Sequence, residues 1–241
     1  MRNTYAAFRY QLRYFRAFSA IWLLVVVLNI IFTTGVMLFI VESQGSDSQI
    51  VVGQIDAQTY VFALILGLLC FKTSFKFMLA NGVSRKRFFW ANLGALTAAM
   101  AVWTGVVLLL AAVFRLYAPY KMVHELLYRG AGPAGGICWL FAGFLLLATL
   151  GWCISMLYYR SNLLKKILLS TLPTVFLALL VFIDSRIDWA IARALVRFFI
   201  AVMGLTPAAP NPYRSALSML LLAALLCGGN YLLVRRAPIK E

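Results

Sequence analysis

Long apolar runs alternate along the whole chain with short segments dense in arginine and lysine. A hydrocarbon layer of ~30 Å takes ~20 apolar residues to cross as a helix, and backbone amides inside it must bond within their own segment. Each run therefore predicts a transmembrane helix: residues 21–41, 57–79, 88–114, 136–158, 167–183 and 213–234. Two other segments are amphipathic rather than uniformly apolar. In 1–19, Tyr5, Phe8, Leu12 and Phe15 recur at helical spacing beside a stripe of Arg9, Arg13 and Arg16, which predicts a helix lying flat on the inner leaflet. In 186–205, Arg186, Ala190, Arg193 and Arg197 form one stripe, and Ile187, Ile191, Leu195, Phe198, Val202 and Leu205 form another. Arg193 and Arg197 argue against a seventh span there, so the segment is expected to be interfacial or re-entrant on the outer side, ended by Pro207, Pro210 and Pro212.

The predicted fold class is thus all-α: a polytopic membrane protein with six transmembrane helices, an N-terminal amphipathic interfacial helix, and an outer re-entrant segment between the fifth and sixth spans. The chain, 1–241, reads as a single transmembrane domain. Its basic start has the look of a secretory signal, but the apolar run that follows is too long for one and is expected to stay as a helix.

Charge adds an orientation. The N-terminus, the segment from Lys72 to Arg87, the segment Arg160 to Lys166, and the tail from Arg235 carry fifteen cations, opposed only by Glu241. The alternate connections carry seven cations against Glu42, Asp47, Asp56, Glu125, Asp184 and Asp188. Basic segments stay on the cytoplasmic side, so both termini are expected there. The formal net charge of +15 is then a topology signal and an attraction to anionic membrane lipid, worth about 1 kcal/mol per cation near the surface. Nucleic acid is not needed to explain it. Composition agrees: 63% of residues are hydrophobic and 12% charged, with a mean hydropathy of +0.90, and no length remains for a soluble catalytic domain.

Candidate chemistry is sparse. Cys70, Cys138, Cys153 and Cys227 fall singly in apolar runs, without the spacing of a metal site. His124-Glu125 begins like a zinc-protease helix, but Tyr128 stands where the second histidine belongs. Asp184 and Asp188 are four apart but flank Arg186 at a membrane edge. No Gly-rich phosphate loop ending in Gly-Lys-Ser or Gly-Lys-Thr occurs. The middles of the spans hold only neutral groups such as Asn29, Thr33, Thr34, Thr97, Thr104 and Thr149, whereas ion- or proton-driven transporters place ionisable groups there. Energy for uphill transport would have to come from another subunit.

Small residues, Ala91, Ala95 and Ala99 with Gly94 and Ala98, then Gly136, Gly143 and Gly151, are expected at close helix contacts. Pro173 interrupts the fifth span and marks a hinge. The most informative stretch is Asn81-Gly82-Val83-Ser84-Arg85-Lys86-Arg87-Phe88-Phe89: Asn-Gly ends one helix, and Ser84 caps another whose cations face the cytosol and whose aromatics face the bilayer.

With that stretch, the order of elements resembles the permease subunits of ATP-binding-cassette (ABC) transporters of the type-2 exporter family, particularly the compact bacterial ones. The shared features are the basic amphipathic N-terminal helix, the Asn81–Phe89 connection, the re-entrant outer segment and the last helix running into Arg235-Arg236. The resemblance implies a transport subunit that is not itself an enzyme and carries no cofactor. ATP and Mg would be held by separate ATPase subunits docking on residues 81–89, the coupling helix of such permeases. It also implies a second permease chain, in a homodimer or a heterodimer. The loop 115–135 is longer than that pattern needs. A non-transporting membrane scaffold or sensor subunit is the alternative reading.

Overall fold

The computed structural model describes residues 2–44, 51–52, 54–116, 120–130, 132–205 and 210–238. The side chains of Thr33, Thr34 and Glu42, together with Asp47, Pro207, Lys240 and Glu241, lie outside what it describes. Six helices are long and apolar enough to cross a bilayer, and the fold is all-α apart from one two-stranded contact.

The first helix, α1 (Arg2–Gln44), is continuous, where the sequence pattern predicted a flat segment and a separate span. Residues 2–34 contain neither glycine nor proline, so nothing interrupts the hydrogen-bond ladder. At ~1.5 Å per residue, α1 is about 65 Å long. Its N-terminal half packs on a neighbour: Ala7, Gln11 and Phe15 are buried, while Arg9, Arg13 and Arg16 are exposed. That neighbour is α4 (Arg85–Phe114), whose buried Ala91, Ala95 and Ala99 leave room for close approach.

The second predicted span is two helices, α2 (Gln54–Leu69) and α3 (Lys72–Ala80), broken at Cys70 and Phe71. The broken ladder exposes the Cys70 carbonyl, and the Gln11 side-chain amide supplies its donor at 2.7 Å. The same Gln11 nitrogen lies 2.5 Å from Asn92 Oδ1, and Asn92 Nδ2 donates to Cys70 Sγ. A neutral polar node thus ties α1, the α2–α3 break and α4 together.

After two short elements comes α6 (Pro133–Arg160), the centre of the bundle, packed against α2, α4 and α9 (Pro212–Arg235). The α2–α6 crossing is set by glycines. A β-carbon on Gly67 would lie 2.0 Å from the Ala148 carbonyl oxygen, and one on Gly151 would lie 2.2 Å from that of Leu64. On the far side, Asn230 of α9 donates to the Thr149 carbonyl of α6.

Helix α7 (Leu163–Arg186) stands apart. None of residues 163–183 is buried, although the helix runs unbroken through Pro173. It meets α6 through a hydrogen bond between Tyr158 and Ser170. Asp184 accepts from the amides of Ile191 and Ala192, which caps α8 (Ala190–Val202). At 13 residues and about 20 Å, α8 is too short to cross. Its last turn reaches α9 through the Val202 carbonyl and Ser218.

Candidate functional site

Contacts sort the connections into two ends. At one end, Tyr10 of α1 stacks on Phe77 of α3, and Tyr159 of α6 packs edge-on against Phe71 and Phe75. The Tyr159 hydroxyl donates to the Pro238 carbonyl beyond α9, and Arg85 at the start of α4 donates to the Arg235 carbonyl at the end of α9. Every basic connection singled out in the sequence therefore meets at this end, which is called the basic end below.

Residues 81–89 lie there, but not as a separate short helix. Asn81 and Gly82 form a turn, with Gly82 in the left-handed region at φ +74°. Val83 follows, and Ser84 caps α4 by accepting from the Arg87 amide. Arg85 is then the first residue of a 30-residue helix. The short helix at this end is α3, which precedes the turn. It is amphipathic, with Ser74, Phe75 and Met78 buried and Lys72 exposed.

Within 81–89 the side chains divide by role. Lys86 and Arg87 are exposed. Arg85 is engaged with the C-terminus of α9, so it contributes to bundle closure. Phe88 and Phe89 are buried, where the sequence pattern expected aromatics toward the bilayer. Phe88 packs edge-on against Phe71 and Phe75, and Phe89 packs against Trp152 and Tyr231. The hydrophobic drive to bury these rings is large, and burial links α3 and the turn to α4, α6 and α9. A push on α3 or on the turn therefore reaches three helices through ring contacts rather than through a flexible loop.

The opposite end is closed by a folded cap. β1 (Val51–Val52) pairs in parallel with β2 (Tyr120–Lys121), followed by α5 (Val123–Leu127). Asp56 is fully buried in the first turn of α2, where the sequence reading had placed it in a loop. Its carboxylate accepts from the Val123 amide at 2.8 Å and from the Tyr120 hydroxyl. Glu125 accepts from the Met122 amide and pairs with Arg115 at 2.6 Å. Tyr128 donates to the Met203 carbonyl just after α8. The described part of the 115–135 loop, residues 120–130, is thus a packed cover over the helix ends.

His124 is 6% exposed, packed against Gly136 and near Trp139. Desolvation lowers its pKa below the ordinary 6.5, partly opposed by the Glu125 charge. Neither member of the His124-Glu125 pair points into a common site with a third ligand, and among the described residues no three metal-binding side chains gather. Asp184 serves as a helix cap, and Asp188 sits in a turn at φ +51°. The mid-bundle threonines bond to their own helices: Thr97 to Leu93, Thr104 to Met100 and Thr149 to Leu146. Asn29 accepts from Gln58.

Sequence reasoning missed Gln11, Asn92 and Gly67. Asn92 is a polar side chain inside an apolar run, whereas Gln11, in an arginine-rich segment, carries no such signal. Gly67 had none, because its importance depends on which residue it faces. No protein-family model, curated protein or solved structure matches this chain.

Proposed function

We propose that this chain is the membrane-spanning permease subunit of an ATP-driven exporter of the ABC type-2 kind. It forms one side of a substrate path and is worked by a separate cytoplasmic ATPase. The basic end faces the cytosol of a bacterial cell, and both termini lie there. The observation that carries the reading is the construction of that end. An exposed short helix and turn, α3 through Lys86 and Arg87, is joined by Phe71, Phe75, Phe88 and Phe89 to the core of the bundle. That arrangement takes up a push and passes it on, as rigid-body switching requires. ATP and Mg belong to the partner, and this chain needs no cofactor of its own.

Two further observations support the reading. Among the described residues, the polar groups buried inside the bundle, Gln11, Asn92, Thr149 and Asn230, are neutral and take up no proton at physiological pH, while the buried carboxylates Asp56 and Asp184 sit at helix ends, each accepting from backbone amides. Among the described residues, 163–183 of α7 and Leu24, Leu28, Ile31 and Phe32 of α1 leave apolar faces exposed, open to a packing partner. A second permease chain, identical or similar, would supply one, and Pro173 would let α7 bend as two bundles move.

The test is a photo-crosslinking amino acid placed at Asn81, exposed in the turn that precedes α4, in the native host. The reading expects an adduct with a nucleotide-binding ATPase, abolished by reversing Lys86 and Arg87 to glutamate. Adducts with membrane proteins alone would favour the scaffold or sensor alternative.

A further inference from the structure

A cavity of about 610 Å³ opens at the basic end between α3, α6 and α7. Three ammonium groups converge on it: Lys72 and Lys76, one turn apart on the same face of α3, and Lys166 from the first turn of α7. Tyr158 and Ser155 of α6 add hydroxyl groups to the lining, while Leu68 and Ile154 make it apolar on the bundle side. No carboxylate lines it. Among the described residues the one ion pair joins Arg115 and Glu125 at the opposite end. Three like charges sharing one cavity repel one another, so an anion that enters meets a concentrated positive potential.

The shape says what kind of anion. The cavity has the size of a small-molecule site. Its α7 wall continues into Leu163, Leu164, Ile167 and Leu168, all exposed and apolar. A phosphate with a hydrocarbon chain satisfies both surfaces at once, whereas a free ion satisfies only the lysines. We infer that this cavity binds one anionic phospholipid, its phosphate among Lys72, Lys76 and Lys166 and its acyl chain along the first turns of α7. The consequence is mechanical. The Tyr158–Ser170 hydrogen bond ties α7 to α6, and a phosphate bridging Lys166 to the α3 lysines adds a further tie. The inference goes beyond the transport reading and needs only that the basic end lie at an anionic leaflet, so it stands or falls without any ATPase.

Native mass spectrometry of the purified full chain with dioleoyl phosphatidylglycerol, against the phosphatidylcholine of the same chains, tests it. One phosphatidylglycerol is expected to be retained at least 10-fold more tightly than phosphatidylcholine. The triple variant K72Q/K76Q/K166Q is expected to lose that preference. The triple arginine variant keeps the charge and is expected to retain it, which guards against a folding defect. K86Q/R87Q, outside the cavity lining, is expected to bind as the parent does. Equal retention of the two lipids, or unchanged phosphatidylglycerol binding in the glutamine triple, overturns the assignment. Displacement of the lipid by millimolar inorganic phosphate also overturns it, because the site would then be one for the free ion.

Discussion

Single glycines decide how closely α2 and α6 approach. Because a β-carbon at Gly67 or Gly151 would meet backbone oxygen rather than a movable side chain, neither helix has a cheap way to yield. Gly67→Ala and Gly151→Ala are each expected to lower stability by about 1–3 kcal/mol, the range of overpacking changes, read as thermal unfolding in detergent. Gly105→Ala, with nothing near its β-carbon, is the matched control and is expected to be neutral or slightly stabilising. The two aspartates of the α7–α8 turn separate in the same way. Asp184→Ala removes the carboxylate that caps α8 and is expected to cost about 1–2 kcal/mol. Asp188→Gly relieves a left-handed residue and is expected to cost nothing measurable. His124 gives the cap at the end opposite the basic one a pH dependence. Its folded pKa is depressed by burial, so the opened cap takes up a proton more readily than the closed one. Closure is therefore fully stabilised above pH 6.5 and weakens as the pH falls below it. Hydrogen exchange of residues 120–130 is expected to speed up between pH 6.5 and 5 relative to the intrinsic rate, and His124→Gln is expected to flatten that response.

Among the elements, α1 and the α2–α3 break depend on each other. The break is stable in an apolar setting because Gln11 reaches the Cys70 carbonyl from a helix 59 residues away in sequence. Gln11→Leu leaves both the Cys70 carbonyl and Asn92 Oδ1 without their donor. The expected cost is about 1–2 kcal/mol, the range for interhelical hydrogen bonds in membranes, with part recovered in the double variant Gln11→Leu/Asn92→Leu. This pair also shows where sequence reading reaches its limit. The six long helices were legible because a bilayer imposes length and apolarity on every crossing segment. The Asn81–Ser84 turn was legible because Gly82 and the Ser84 cap act locally. The break at Cys70 was not, since no breaker residue stands there and its cause lies in α1. The N-terminal arginine stripe suggested a helix on the membrane surface, but the opposite face of that helix, Ala7, Gln11 and Phe15, packs on α4.

At the scale of the whole molecule, charge and packing are separated. Cations collect at one end, and carboxylates that are buried, Asp56 and Asp184, are spent on backbone amides away from it. The candidate site was half legible: Lys86 and Arg87 are exposed as expected, while Phe88 and Phe89 turned inward because neighbouring aromatics at the α2–α3 break and on α3, α6 and α9 were invisible in a linear pattern. The proposed role requires this bundle to receive work from a separate ATPase. Affinity isolation of the chain from its native host in mild detergent, followed by assay of ATP hydrolysis, tests that most directly. The account predicts a co-purifying ATPase whose association is lost when Lys86 and Arg87 are reversed to glutamate. A stable complex without any nucleotide-hydrolysing subunit, or substrate movement by the isolated chain in liposomes, would contradict it.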